Sequence, residues 1–171
     1  GEIVVGVSGV PAGTSLGVIT IADWSYRVLP ATFTGGGGIS VSVDGNTIYA
    51  GGQFTAVNGQ SRAGLAAFDL TTGALLPWQP VVDATPVVVR AAAGRAWIGG
   101  IFSRVSGQRR RGLAEVDAVT GAVTPWNPDV LGVSEGGYSY GGIRDLAIGP
   151  DGYLYAAVGS PFPSFSGPVT G

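Results

Sequence analysis

Residues 49–80 read YAGGQFTAVNGQSRAGLAAFDLTTGALLPWQP, and residues 97–128 read WIGGIFSRVSGQRRRGLAEVDAVTGAVTPWNP. The two align without a gap at an offset of 48, with 17 of 32 positions identical. Such self-similarity restricts the chain to stacked copies of one supersecondary unit. Looser copies flank the pair. Ile3-Val4-Val5-Gly6 and then Gly17 to Asp23 repeat the order of strand, glycine and Asp across a shortened loop. At the other end, Asp151-Gly152-Tyr153-Leu154-Tyr155 echoes Asp44-Gly45-Asn46-Thr47-Ile48-Tyr49 after an insert at 132–140.

Each unit parses into short strands. Residues 39–43 alternate with period two, and Asp44-Gly45-Asn46 supplies a hairpin turn. Residues 47–54 form a second strand whose Gly51-Gly52 pair, matched by Gly99-Gly100, admits a neighbouring backbone. A polar loop at 55–62 leads to a third strand at 64–69. Thr72-Gly73 then turns the chain into a fourth at 74–78, closed by Pro80. The second unit has Ala93-Gly94-Arg95 as its first turn. Four strands in about 48 residues, in tandem, predict an all-β fold: a β-propeller fragment of about 3.5 four-stranded antiparallel blades. The boundaries fall at 1–37, 38–85, 86–140 and 141–171. Helix content should be near zero, because period-two alternation and glycine density oppose helices.

Composition narrows the function. Glycine and proline, 31 and 11 residues, make up almost a quarter of the chain, and only 12% is charged, against roughly 25% in an average domain. With a net charge of −2, nucleic acid is not an expected partner. No apolar run approaches the length of a transmembrane helix. Cys and His are absent, which removes the usual zinc, haem and iron–sulfur ligands and also Ser-His-Asp and Cys-His catalysis. We therefore expect no cofactor, no metal and no catalytic residue. Lacking Cys and Met, the chain has little to oxidise, which suits exposure outside the cell. Without an initiating Met or a basic leader, it reads as a mature or internal piece. Both ends offer a second strand, so the fragment is expected not to close alone but to meet the remainder of its chain or other protein chains.

The pattern GGxFxxVxGxxRxGLAxxDxxTGxxxPWxP resembles bacterial secreted propeller repeats of the Delta-60 kind. The resemblance covers 47–128 well and the ends loosely. It implies an extracellular or cell-surface location and a non-enzymatic scaffold or adhesion role, as in a surface layer or appendage. Asp69-Leu70-Thr71-Thr72-Gly73 and Asp117-Ala118-Val119-Thr120-Gly121, each with a Trp nine residues after the Asp (Trp78 and Trp126), are similar to the tryptophan-docking repeat of quinoprotein dehydrogenases, there one residue shorter. In that family the motif staples blades. The same reading here has Asp holding turn amides while the Trp is mostly buried between blades. The segment 148–155 resembles a turn of sugar dehydrogenase and lactonase propellers, though Pro-Asp-Gly is also simply a good β-turn. A fragment of such an enzyme is the alternative function.

Few residues depart from the repeat. Arg110 matches Arg62 and is expected to hold an Asp or strand-end carbonyls. Arg104, Arg109 and Arg111 have no such counterparts and are candidate contacts for an anionic glycan, a phosphate or a partner. Asp129, Glu135 and Asp145 bracket the insert with Tyr138 and Tyr140, candidates for a carbohydrate or calcium site, although the spacing matches no calcium loop. Gly35-Gly36-Gly37-Gly38 is read as an inter-blade link, since no phosphate-binding Lys-Ser/Thr follows.

Overall fold

The computed structural model describes residues 2–10, 13–35, 38–128 and 142–159, and among these every regular element is a β-strand. The first segment is an antiparallel meander. Strand β2 (Gly13–Thr20) pairs on one side with β1 (Glu2–Val10) and on the other with β3 (Tyr26–Val28). A short strand, β4 (Phe33–Thr34), follows. The middle unit then builds a sheet from β5 (Ile39–Asp44), β6 (Thr47–Gly52) and β9 (Leu65–Asp69) in the order β5-β6-β9. Between the last two runs a small hairpin, β7 (Ala56–Val57) and β8 (Gln60–Ser61), that also pairs with β4.

The next unit repeats this plan. Its sheet is β10-β11-β14 (Pro86–Ala92, Arg95–Gly100, Leu113–Asp117), and its small hairpin is β12 (Arg104–Val105) with β13 (Gln108–Arg109). Register follows the sequence offset: Thr47 faces Asp69 and Gly51 faces Leu65, as Arg95 faces Asp117 and Gly99 faces Leu113. A hairpin of β15 (Ile143–Ile148) and β16 (Leu154–Val158) ends the described chain.

Two expectations change in detail. The polar loop at 55–62 contains the small hairpin, closed by Asn58-Gly59 with both residues at positive φ, the geometry of a two-residue type I′ turn. The fourth strand shrinks to one bridge per unit, Phe68 to Leu75 and Val116 to Val123. Leu76 still donates its amide to Ala67 at 2.8 Å. Pro77, like Pro125, then pins φ near −65° and draws the chain off the ladder.

Both faces of the two central sheets are covered. In β6, Ile48 and Ala50, with Phe68 of β9, turn toward the first segment, where Leu16, Val18, Leu29, Ala31 and Phe33 bury with them. Tyr49 points the other way, joining Leu65, Ala67 and Trp78 against Val89, Ala91, Ile98 and Val116 of the next sheet. A third cluster joins that sheet to β15 through Val88, Leu113, Ile143 and Leu146. Burial on both faces explains why β6 and β9 lack the polar alternation of a half-solvated strand.

The turn between β10 and β11 puts exposed Ala93 at φ +52° and Gly94 at +77°. An L side chain in that region costs about 1–2 kcal/mol, and Asn-Gly is the preferred pair for such a turn. Ala93→Asn should therefore stabilise the protein by about 1 kcal/mol, read as a raised thermal midpoint with an unchanged circular dichroism spectrum.

Candidate functional site

The most elaborated chemistry lies in the seams between sheets. Trp78 is 2% exposed. Its Nε1 donates to the Asp117 carbonyl at 3.1 Å, and its ring meets Tyr49 edge-on at 5.1 Å. Tyr49 in turn donates its hydroxyl to the Ala118 carbonyl at 2.8 Å. Two aromatic side chains of one unit thus bind the end of the third strand in the next. Burial of the Tyr49 ring pushes its hydroxyl above the ordinary 10.0.

In both Asp-x-x-Thr-Gly turns the carboxylate holds donors of its own turn. Oδ1 of Asp69 accepts from the Thr72 amide at 2.7 Å and the Thr72 hydroxyl at 2.9 Å. Asp117 does the same with Thr120, at 2.7 and 2.8 Å, and also accepts from the Val119 amide. The amide and hydroxyl bonds from Thr72 and Thr120 hold both carboxyls below the ordinary 3.8. Gly73 and Gly121 close the turns at φ +74°, and each lies against a proline of the preceding unit, Pro30 or Pro80. A Cβ on Gly73 would fall 2.5 Å from the Pro30 Cδ. The other repeat glycines set sheet spacing. A Cβ on Gly52 would strike the Gly38 carbonyl and one on Gly100 the Thr85 carbonyl, while Gly51 and Gly99 lie against Val89 and Ile143 of the next unit.

Trp126 departs from expectation. It is 38% exposed rather than mostly buried. The cause is visible at Trp78, which is capped by β14 and its turn. The segment in the corresponding place for Trp126 would follow β16 and lies outside the described residues. Tyr138, Tyr140, Asp129 and Glu135 also lie outside them.

Arg62 and Arg110 are buried and hold carbonyls, as expected. Arg62 donates to Ser61 and Leu76, and Arg110 donates to Arg109 and, at 2.6 Å, to Thr124. Each guanidinium therefore ties the remnant of the fourth strand to the small hairpin. Arg104 and Arg109 are exposed on β12 and β13, directly opposite each other, and Arg111 is half-buried.

Two groups escaped the sequence reading. Ser40, Ser42 and Asp44, every second residue of β5, accept the amides of Val89, Ala91 and Gly94 at 3.3, 2.9 and 3.0 Å. They cap the strand edge that β10 does not use for pairing with β11. Arg90 extends the network, donating to Ser40 and forming a 2.8 Å ion pair with Asp145 of β15. The period-two Ser/Ser/Asp pattern was the available signal. The second group centres on buried Glu115, which accepts from Arg95, Trp97 Nε1 and Thr124 Oγ1. It replaces Ala67 of the sister unit, so the repeat alignment itself could have flagged it.

This arrangement binds and orders strands, with the carboxylates of Asp69, Asp117 and Glu115 all engaged by donors. Among the described residues no cluster of three or more His, Cys, Asp or Glu converges. Adjoining hollows of about 370 and 420 Å³ at the seam of the two central units share Gly52, Gln53, Thr85 and Pro86 in their walls, and so present mainly backbone and small side chains. A scan against protein-family models finds no match, and a search of curated proteins finds none either.

Three outcomes test these contacts. Trp78→Ala should cost about 3–5 kcal/mol in urea unfolding, and Trp126→Ala less than half of that. For Asp69 and Asp117, a pKa lowered on folding gives stability that is complete above about pH 4 and disappears as pH falls through the lowered values. The Asp69→Asn/Asp117→Asn variant should thus be less stable than the parent at pH 7 and converge with it as pH falls through the lowered values. Tyr49 works in the opposite sense: its contribution holds below about pH 10 and is lost as pH rises further.

Proposed function

We propose that this chain is an arc of β-propeller blades serving as a non-enzymatic interaction scaffold of a secreted or surface-exposed bacterial protein. Each sheet is one blade, and the seam described above is the blade-to-blade joint. No helix among the described residues is long and apolar enough to cross a membrane.

The observation that carries this reading is what lies exposed at the two ends of the stack. Tyr26 pairs with Ile19 in the place where Leu75 pairs with Phe68 and Val123 with Val116. Leu75 and Val123 pack into seams, yet Tyr26 is 51% exposed, and Val28 and Trp24 are exposed beside it. At the other end Tyr155 occupies the place of Tyr49. Tyr49 is 3% exposed and Tyr155 is 55%. Residues of seam type are thus uncovered at both ends, as expected of a repeat stack whose outer units lack polar caps. A further blade, from the remainder of the same chain or from another protein chain, would cover each face.

Sedimentation velocity over a concentration series tests this directly. The 171-residue chain should associate with rising concentration, and Tyr26→Ser with Tyr155→Ser should weaken that association. A chain that remains monomeric throughout and melts in one cooperative transition would refute the arc.

A further inference from the structure

Register places the first segment on the plan of the central units. Ile3 pairs with Ile19 and Ile19 with Tyr26, as Ile48 pairs with Phe68 and Phe68 with Leu75. Strands β1 and β2 therefore stand where β6 and β9 stand in the middle unit. On its other edge β6 carries β5, and β11 likewise carries β10. The corresponding edge of β1 pairs with no strand among the described residues. Backbone groups along a strand point to alternate edges. Gly52 donates its amide to Gly64 on the β9 side, so Tyr49 and Gly51 serve β5. Val4 faces Val18 as Tyr49 faces Ala67, and Gly6 faces Leu16 as Gly51 faces Leu65. The amides of Val4 and Gly6 thus point to the open edge.

The wall beside that edge is β5, since β1 lies against β5 as β6 lies against β10. In the joint of the central units, Ser40, Ser42 and Asp44 accept the amides of Val89, Ala91 and Gly94. The offset of 48 makes Val41, Val43 and Asn46 the counterparts of those three donors. Val41 pairs with Ala50 and Val43 with Ile48, both of which serve β9, so the amides of Val41 and Val43 point away from β6. They face the place that a strand on the open edge of β1 would take. Burial marks the same place. Ala91 is 6% exposed beneath the middle unit, whereas its counterpart Val43 is 39% exposed.

We infer that the open edge of β1 and the adjoining side of β5 form a slot for one extended strand of a protein partner, bearing Ser, Thr or Asp at every second position. That strand pairs with the backbone of Val4 and Gly6 as β5 pairs with Tyr49 and Gly51. It turns its side-chain oxygens to the amides of Val41, Val43 and Asn46, and it covers Val43. Main-chain pairing supplies the affinity and the alternate side chains the selectivity. A strand with apolar residues at those positions would cover the amides without giving them acceptors, which is unfavourable. The inference rests on the reading of each sheet as one blade, and it names the chemistry of the strand that the first blade receives.

The probe is a synthetic peptide of residues 38–46, which carries the acceptors of β5, set against the same peptide with Ser40→Ala, Ser42→Ala and Asp44→Ala. Each is titrated calorimetrically into the 171-residue chain at concentrations where the chain is monomeric. The first peptide should bind saturably and slow hydrogen exchange at the Val41 and Val43 amides of the isotope-labelled protein. The second should bind about tenfold or more weakly, as the loss of its side-chain acceptors implies. Val4→Pro removes a donor from the open edge and none from the ladder with β2. It should weaken binding of the first peptide while Trp fluorescence and circular dichroism stay unchanged. If that variant fails to fold, the two peptides and the exchange readout on the parent still decide. No saturable binding, or protection that misses Val41 and Val43, would overturn the slot. Equal affinity for the two peptides would overturn the alternating-acceptor rule. None of these readouts depends on self-association, so failure here is separable from failure of the propeller arc.

Discussion

The structure depends on burying both faces of sheets too small to be stable alone. A three-stranded sheet of five- to seven-residue strands encloses no core by itself, so its stability comes from neighbours. The joint between the two central units shows how this is met. Trp78 and Tyr49 supply a large apolar area, and the polar atom of each ring finds a carbonyl of the next unit. Burying that area without those partners would leave two polar groups dry, at about 1–3 kcal/mol each. The joint thus combines apolar packing with hydrogen bonds that fix the relative position of the two sheets.

Close packing of this kind limits which residues can stand at the contact. The Gly-Gly pairs let one strand lie on the next without an intervening side chain, and the glycines of the Asp-x-x-Thr-Gly turns rest on prolines of the preceding unit. The motif accordingly has two roles. Its Asp and Thr shape the turn internally, while its Gly and the later Trp face opposite neighbours. Spacing between Asp and Trp is therefore constrained by geometry.

Polar groups complete the joint where backbone pairing cannot. Adjacent sheets present strand edges to each other, and Ser40, Ser42 and Asp44 satisfy amides that no neighbouring strand reaches. The following seam is built differently. Glu115, Trp97 and Thr124 form a polar cluster there, in place of the Ala67 and Tyr49 of the preceding joint. The repeat therefore dictates a common backbone, while each seam carries its own side-chain chemistry, and with it the means to discriminate one neighbour from another.

The all-β class, the strands of the two central units, the glycine contacts, the carboxylate-capped turns and the structural role of Arg62 and Arg110 were legible in the sequence. They follow from local rules: period two, turn chemistry and an offset of 48 that carries each role from one copy to the next. Three features were not legible. Trp78 and Trp126 occupy identical positions in their motifs, yet one is sealed and the other is 38% exposed, because burial is set by the neighbouring sheet. The fourth strand reads as a strand but survives as a single bridge, since Pro77 ends its pairing. Arg104 and Arg109 look like separate members of a charge run until the hairpin sets them opposite each other. The sequence alone determined which units form, since strands and turns are encoded within a few residues. Only the tertiary structure decided which faces and charges meet, because contacts between units depend on how separate segments stack in space.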